Sequence, residues 1–219
     1  MGKVYAIVHN GKVSNHYSWD SCKKEVRGLS GAKYKGFNSE LERDQWVQGQ
    51  LQHTASLDDI LKAPENRLIY YVDGSYRPKI RADYAGWGVA VAQGNNFIDA
   101  FHGYTPDVCK SRNIDGEIYA AYQALLYIED HAVEAKEHII VHDYMGISQW
   151  IQGLWEFRDN ANYVRECKEL YKQLLLKGVE ITFVHVRGHM NIRGNEIADL
   201  LATNPESSYN LNYLNNYKA

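Results

Sequence analysis

The chain has 219 residues, of which 45% are hydrophobic and 23% charged, and its net charge is −3. This composition is typical of a soluble globular protein and fits one large domain, or an ordinary domain with a small one. No apolar run approaches the roughly 18 residues of a membrane-spanning helix, and the N-terminal apolar stretch is too short for a secretory signal.

Three cysteines, Cys22, Cys109 and Cys167, are scattered and lack the paired spacing of a metal site. We therefore expect a reducing, cytoplasmic setting with no membrane association. Nothing in the sequence requires an obligate protein partner.

The charges are unevenly distributed along the chain. Residues 1–37 contain seven Lys or Arg and two acidic residues, so they carry +5 and leave −8 for the rest of the chain. This asymmetry predicts a small basic module attached to an acidic one. A random distribution of surface charge is the alternative.

The first 50 residues follow a ββαβα pattern. The predicted elements are strands at 3–9, 13–18 and 33–37, with helices over 20–27 and from 39 to about 50. Ser18 is a candidate N-cap for the first helix, and Ser39 with Glu42 forms a capping box at the start of the second. We predict a small α+β domain over residues 1–50.

A second pattern begins after residues 51–66, which lack a clear period and are predicted to be a linker. The predicted elements are strands at 67–73, 84–92, 97–103, 138–142 and 180–186, and helices around 118–128, 144–153, 160–177 and 194–203. Three strands followed by alternating helices and strands indicate an α/β domain, with a mixed sheet covered by helices. The Asn/Tyr-rich tail, 204–219, is predicted to be poorly ordered.

Four acidic residues lie at the boundaries of elements or beside apolar stretches: Asp73, Glu117, Asp143 and Asp199. Taken singly, each has an ordinary explanation, such as a turn, a helix cap, a favourable charge at a helix start or a solvated side chain. Strand ends in α/β sheets are where ligand sites gather, and converging carboxylates repel one another unless cations join them. Ligand sets made only of oxygen suit Mg²⁺ or Mn²⁺.

The segments that carry these acids resemble the four motif blocks of type 1 ribonuclease H, in that family's order. They are YVDGS (71–75), RNIDGEIYAAYQAL (112–125), IIVHDYMGI (139–147) and HVRGHMNIRGNEIADLLA (185–202). The last block is the most specific, because His189 precedes Asp199 by ten residues within GHMNIRGNEIAD. The resemblance spans residues 67–203 and implies a catalytic domain with a ribonuclease H-like, mixed five-stranded sheet and flanking helices.

This resemblance implies a function for the acidic set. Asp73, Glu117, Asp143 and Asp199 would bind two Mg²⁺ ions, with Mn²⁺ as an alternative, and His189 would assist proton transfer or product release. The implied reaction is hydrolysis of the RNA strand of an RNA–DNA hybrid by two-metal-ion catalysis, which leaves a 5′-phosphate and a 3′-hydroxyl.

Three further residues match positions where the family contacts its substrate. Asn113 matches a residue at the sugar edge of the RNA strand, where the 2′-OH distinguishes RNA from DNA. Lys110 and Arg112 fall where the family holds a phosphate of the DNA strand. Solvated loop charges are the alternative for these two.

The chain departs from the family pattern at three places. Tyr144 stands where a Ser is common, Gly116 replaces a larger residue, and residues 153–160 contain a single Arg in place of a basic protrusion. We therefore expect residues 67–203 alone to hold substrate weakly.

The N-terminal segment 4–37 resembles the hybrid-binding domain of many eukaryotic and some bacterial type 1 ribonucleases H, which is related to a caulimovirus module. The stretches SWDSCKKEV and GAKYKGF carry the match. By this resemblance Tyr5, Trp19 and Tyr34 would pack on the DNA strand and Lys35 would contact its backbone. Gly36 replaces a second lysine, which predicts weaker binding. For Trp19, a place in a small hydrophobic core is the alternative.

Two other functions compete with an active hybrid-specific endonuclease. The first is a hybrid-binding protein whose nuclease domain has decayed, which the presence of all four carboxylates disfavours. The second is a related polynucleotidyl-transfer domain such as an integrase, which the GHMNIRGNE block disfavours.

Overall fold

The computed structural model describes residues 3–9, 12–29, 32–52, 66–132, 137–157, 162–186 and 192–217, without the side chains of residues 48, 49, 51 and 52. Contacts within the chain divide it into two units, Met1–Ser56 and Leu57–Ala219. His189 lies outside the described residues, as do residues 53–65 of the predicted linker.

The N-terminal unit is an antiparallel sheet with two helices. Its elements are β1 (Val4–His9), β2 (Lys12–His16), α1 (Trp19–Val26), β3 (Lys33–Phe37) and α2 (Glu40–Gln52). The strand order is β2-β1-β3, so β3 is an edge strand. The predicted order of elements is observed, but α2 continues to Gln52 and so takes in the first two residues of the predicted linker.

Local capping explains where both helices of this unit begin. The Ser18 side chain accepts a hydrogen bond from the backbone N–H of Ser21 at 3.3 Å. Ser39 accepts one from the Glu42 N–H at 3.2 Å, while the Glu42 carboxylate accepts one from the Asn38 N–H at 3.0 Å. These bonds satisfy N–H groups that have no partner inside a helix.

The C-terminal unit is a mixed five-stranded sheet with helices on both faces. Its elements are β4 (Arg67–Ser75), β5 (Gly86–Gln93), β6 (Asn96–Tyr104), α3 (Asn113–Asp130), β7 (Glu137–His142), α4 (Gly146–Ile151), α5 (Val164–Leu176), β8 (Glu180–His185), α6 (Arg193–Thr203) and α7 (Leu211–Asn216). The strand order is β6-β5-β4-β7-β8, with antiparallel pairing up to β4 and parallel pairing beyond it. This confirms the predicted fold class.

Strand β4 is buried on both faces and separates two hydrophobic cores. Leu68, Tyr70 and Val72 join the core beneath α3 and α5, whereas Ile69 and Tyr71 join the core beneath α6 and α7. Side chains alternate between the faces of a strand, so a nearly continuous apolar run was needed here. No helix among the described residues has the length and hydropathy to cross a bilayer.

The prediction of a poorly ordered tail was wrong for residues 204–217. Leu214 of α7 is fully buried in the core beneath α6. Asn215 exchanges two side-chain hydrogen bonds with the backbone of Phe97 on the edge strand β6, at 2.8 and 2.9 Å. The Arg193 guanidinium donates to the carbonyls of Leu214 and Asn215. Burial of Leu214, together with polar contacts from β6 and α6, therefore orders this tail.

We predict that Leu214→Ala lowers the free energy of unfolding by about 2–5 kcal/mol, the usual cost of truncating a buried Leu. Leu211→Ala on the same helix is the control, because that side chain is 39% exposed, and its cost should stay within about 0.5 kcal/mol. Denaturant titration of both variants measures the difference. Equal costs would contradict the docking of α7.

Candidate functional site

Two of the predicted acids lie where neighbouring parallel strands end. β4 and β7 pair in parallel, with Tyr71 opposite Val141 as the last pair. Asp73 and Asp143 each follow two residues later, so the shared register places them side by side. The carboxyl ends of parallel strands are the usual place for a ligand site in an open α/β sheet.

A backbone-to-backbone contact brings the third acid to the same place. A Cβ added to Gly74 would lie 2.1 Å from the backbone nitrogen of Glu117, and one added to Gly116 would lie 2.5 Å from the carbonyl oxygen of Gly86. Only glycine permits this approach of α3 to β4 and β5. This contact explains why Gly116 stands where the family pattern has a larger residue. A side chain at residue 116 would push Glu117 away from Asp73.

Asp73, Glu117 and Asp143 form one carboxylate cluster. Each offers an oxygen, and these oxygens all lie within 4.8 Å of one another. Asp73 and Glu117 are buried, with 7% and 5% of their surfaces exposed, and Asp143 is half-buried.

Burial and mutual repulsion disfavour ionisation of this cluster without a cation. Burial, followed by the negative charges of Asp143 and Asp199, raises the pKa of Asp73 to about 8, although a hydrogen bond from the Gly74 N–H opposes the rise. Burial and the charges of Asp73 and Asp143 likewise raise the pKa of Glu117 well above its usual value. These are the two causes expected for carboxylates that share a site.

The cluster fits a hard divalent cation. Glu117 Oε2 is buried and has no hydrogen-bond partner among the described residues, and an unpaired buried oxygen costs free energy unless a donor or cation satisfies it. The donors of the cluster are all carboxylate oxygens, which suit Mg²⁺ or Mn²⁺.

Asp199, the fourth predicted acid, is not part of this cluster. It lies on α6 with its side chain exposed, and Oδ1 accepts a hydrogen bond from Thr203 Oγ1 at 3.1 Å. It is nevertheless close enough for its charge to raise the pKa of Asp73. His189 lies outside the described residues.

Two residues near the cluster were missed by the sequence analysis. Asp115 is fully buried, and its carboxylate accepts hydrogen bonds from the backbone N–H groups of Ser111 and Asn162, both at 2.6 Å. It thereby fixes the start of α3, on which Glu117 lies. His185 Nε2 donates to the backbone carbonyl of Asp143 at 2.9 Å. An acid in the first turn of α3 was the available signal for Asp115, but the contact of His185 depends on the register of β7 with β8.

The predicted substrate residues around the start of α3 are exposed. Lys110, Arg112 and Asn113 all face solvent, and Lys110 lines a cavity of about 220 Å³ together with Asn162 and Arg165. Arg112 has a φ of 56°, in the left-handed region. A non-glycine residue held there stores strain, and such residues gather at functional sites.

The three aromatics predicted to bind substrate form a row on the N-terminal unit. The Trp19 ring lies between the other two, 5.7 Å from that of Tyr5 and 5.9 Å from that of Tyr34. Trp19 and Tyr34 are 40% and 49% exposed. This exposure excludes a core position for Trp19. Phe37 and Trp46, by contrast, are buried and in contact with each other.

Lys35 and Gly36 differ in their relation to this aromatic row. Lys35 leaves β3 on the face opposite Tyr34, and its Nζ lies 5.7 Å from the centre of the Phe37 ring. The structure therefore does not bring Lys35 together with the row. Gly36 pairs with Tyr5, and a Cβ at residue 36 would come within 2.7 Å of the Tyr5 ring. The missing lysine thus leaves room for that ring over β3.

Comparisons with known proteins agree with this architecture. A profile of the RNase H family matches residues 65–206, and a profile of the Ribonuclease H1 N-terminal domain matches residues 3–47. No curated protein matches the chain.

Solved structures share the fold of the C-terminal unit at low sequence identity. The N-terminal RNase H domain of rv2228c from Mycobacterium tuberculosis, solved as a fusion with maltose binding protein, is 16% identical, with a TM-score of 0.50 over 63% of this chain and 91% of that one. The prototype foamy virus protease-reverse transcriptase is 19% identical, with a TM-score of 0.51 over 68% of this chain and 22% of that one.

The RNase H profile covers more than half of the chain, and the mixed sheet with its carboxylate cluster agrees with it. The chain therefore belongs to the RNase H family and carries a Ribonuclease H1 N-terminal domain ahead of its ribonuclease H domain.

Proposed function

We propose that this protein is an endonuclease that hydrolyses the RNA strand of RNA–DNA hybrids with two divalent cations, Mg²⁺ or Mn²⁺, leaving a 5′-phosphate and a 3′-hydroxyl. The observation that carries the proposal is the buried cluster of Asp73, Glu117 and Asp143 at the ends of β4 and β7, in a chain of the RNase H family. Residues 67–203 would perform the chemistry, residues 1–50 would anchor the hybrid, and the setting would be cytoplasmic.

The carboxylates divide the work of holding the cations. Divalent cations, when bound, would supply the positive charge that offsets the charge developing on the phosphate during hydrolysis. Asp73, Glu117 and Asp143 would hold them at the buried end of the site, and Asp199 would complete the set from the exposed side. His189, ten residues before Asp199 in the sequence, assists proton transfer or product release.

Selectivity for RNA would come from residues beside the cluster. Asn113 begins α3 four residues before Glu117, a separation that keeps it within about one helical turn of the cluster. From there its amide can pair with a 2′-OH, the group that distinguishes RNA from DNA. Lys110 and Arg112 would bind a phosphate of the DNA strand, because both are exposed and lie within three residues of Asn113.

The N-terminal unit would hold the same hybrid by a different kind of contact. Tyr5, Trp19 and Tyr34 present a partly exposed aromatic surface on which bases or sugars can pack. Lys35 is exposed on the edge strand β3 and would contribute a phosphate contact.

The central test is cleavage of a strand-labelled RNA–DNA hybrid with Mg²⁺, with Mn²⁺ and with EDTA. We expect cleavage of the RNA strand alone, dependence on the divalent cation and no cleavage of matched duplex DNA. Binding without cleavage would support a decayed nuclease, and cleavage of duplex DNA would support a polynucleotidyl-transfer enzyme of another kind.

We predict that Asp73→Asn and Asp143→Asn each reduce cleavage by more than about 100-fold. Loss of an outer partner of a metal ligand already costs about 10–100-fold, and these changes remove a ligand itself. Asp130→Asn is the matched control, because Asp130 is exposed at the other end of α3, about 20 Å from Glu117 at 1.5 Å per residue. Activity near that of the wild type in both cluster variants would refute the assignment.

A second prediction concerns the pH dependence of stability without metal. The folded protein holds the pKa of Asp73 at about 8, above the value of about 3.9 in an unfolded chain. The contribution of Asp73 is therefore complete below about pH 4 and is lost as the pH rises towards 8. Asp73→Asn removes this loss, so the variant should exceed the wild type by about 1–3 kcal/mol at pH 8.

Denaturant unfolding in EDTA at pH 5, 6, 7 and 8 measures this difference. The advantage of Asp73→Asn over the wild type should grow with pH, whereas any difference for Asp130→Asn should stay constant. Parallel pH profiles for the wild type and Asp73→Asn would show that the carboxylate cluster is not strained in the metal-free protein.

The N-terminal unit generates a prediction about how affinity depends on salt. Trp19→Ala should weaken hybrid binding by about 1–3 kcal/mol, the usual range for base stacking. It should not change the salt slope, which is the slope of the logarithm of the binding constant against the logarithm of the salt concentration. Lys35→Ala should lower that slope by about 1, because one phosphate contact is lost. Fluorescence anisotropy at several salt concentrations measures both quantities.

Two tyrosines of nearly equal exposure provide the control. Tyr34, in the aromatic row, is 49% exposed, and Tyr213, on α7, is 48% exposed. Tyr34→Ala should weaken binding, whereas Tyr213→Ala should not. Equal affinities for the two variants would mean that the aromatic row does not contact the hybrid.

A further inference from the structure

The connection between β4 and β5 has an unusual concentration of positive charge. The unit Leu57–Ala219 carries a net charge of −6, yet Arg77, Lys79 and Arg81 fall within five residues that include no acid. All three are exposed, and within the described part of the chain none of them forms an ion pair with a carboxylate. Their charges are therefore available to an external anion.

Hydrogen bonds close this segment into a turn. The backbone N–H groups of Ile80 and Arg81 both donate to the carbonyl of Arg77, at 2.9 and 3.0 Å. Across the base of the turn, the Tyr76 hydroxyl donates to the carbonyl of Ala82 at 2.5 Å. A turn closed in this way presents Arg77 and Lys79 with less loss of conformational entropy on binding than an open loop would.

Arg81 attaches the turn to the sheet. Its guanidinium lies over two aromatic rings, 4.8 Å from the centre of the Tyr84 ring and 4.5 Å from that of Tyr104, the last residue of β6. Cations are attracted to the faces of aromatic rings at such distances. Arg81 thus holds the turn against the sheet, and Arg77 and Lys79 are left to contact a ligand.

The turn lies close to the carboxylate cluster along the chain. Arg77 follows Asp73 by four residues, a separation that spans at most about 14 Å of extended chain. The cluster by itself repels a polyanion, so nearby cations are needed to offset its charge. Residues 152–157, part of the segment where family members can carry a basic protrusion, contain no Lys or Arg.

The turn is also joined to the segment that holds Lys110 and Arg112. The Cys109 N–H donates to the carbonyl of Asp83 at 2.8 Å, two residues beyond Arg81, and the Thr105 N–H donates to the carbonyl of Ala85 at the same distance. The two cationic segments therefore adjoin each other. The nearest acid in sequence to the turn is the exposed Asp83. Its single negative charge does not offset the three positive charges of the turn.

We propose that the Arg77–Arg81 turn binds the phosphodiester backbone of the substrate beside the scissile phosphate. Arg77 and Lys79 are the contacting cations and Arg81 is a positioning residue. This inference rests on the proposed function and adds a phosphate-binding surface within the ribonuclease H domain. A repeating phosphate chain suits it, because two cations two residues apart can meet successive phosphates of one strand, which rise by about 3.4 Å per nucleotide.

The test compares three double variants of the full chain for binding to a labelled RNA–DNA hybrid in EDTA, at several salt concentrations. Arg77→Ala with Lys79→Ala should raise Kd by about 10-fold or more and lower the salt slope by about 1–2, the value for one or two lost phosphate contacts. Arg77→Lys with Lys79→Arg keeps both charges and should keep the slope. Lys168→Ala with Lys172→Ala, on α5, removes the same charge and should leave both Kd and slope near the wild type.

Steady-state cleavage with Mg²⁺ separates this inference from the proposed function. For Arg77→Ala with Lys79→Ala, KM should rise with Kd while kcat changes by less than about 3-fold, the pattern for loss of uniform binding. If its Kd and slope equal those of the α5 double variant, the turn does not bind the phosphate backbone and the inference is overturned. Failure of the wild type to cleave would overturn the proposed function instead, because the binding comparison in EDTA does not depend on catalysis.

Discussion

The approach of α3 to the sheet at Gly74 and Gly116 is the contact on which the C-terminal unit depends. A Cβ at either residue would overlap backbone atoms of the opposing element, so this contact sets how closely Glu117 approaches Asp73. Asp115 reinforces it, because its buried carboxylate holds the segments of Ser111 and Asn162 at the start of α3. The position of the carboxylate cluster is therefore determined by backbone packing more than by its own side chains.

This geometry destabilises the metal-free protein, since the cluster is buried and mutually repelling. The surrounding elements must supply the compensating free energy. They do so through two separate cores, one on each face of β4, with the docked α7 extending the second. Functional sites often lower the free energy of unfolding of an enzyme, because like charges must be held close together there.

The sequence predicted the fold and named all three acids of the cluster for identifiable reasons. Strands β4 and β7 are apolar runs that each end near an acid. The carboxyl ends of neighbouring parallel strands lie at the same edge of a sheet, and this does not depend on the conformation of the loops. The tail could not be predicted, because Asn215 and Arg193 order α7 through polar contacts that carry no sequence period. The face of β3 on which Lys35 lies depends on the pairing of β3 with β1. The exposure of Asp199 depends on how α6 is rotated about its axis. The sequence motifs contain neither piece of information.

In the proposed function, the two units would hold nucleic acid by contacts that respond differently to salt. Aromatic packing in the row of Tyr5, Trp19 and Tyr34 releases no counterions, whereas each lysine or arginine on a phosphate does. As ionic strength rises, the proposed cationic contacts would weaken and the aromatic row would carry a growing share of the affinity. On the proposal above, an acidic C-terminal unit would remain bound to a polyanion at high salt, because the aromatic row of the N-terminal unit would supply contacts that are insensitive to screening.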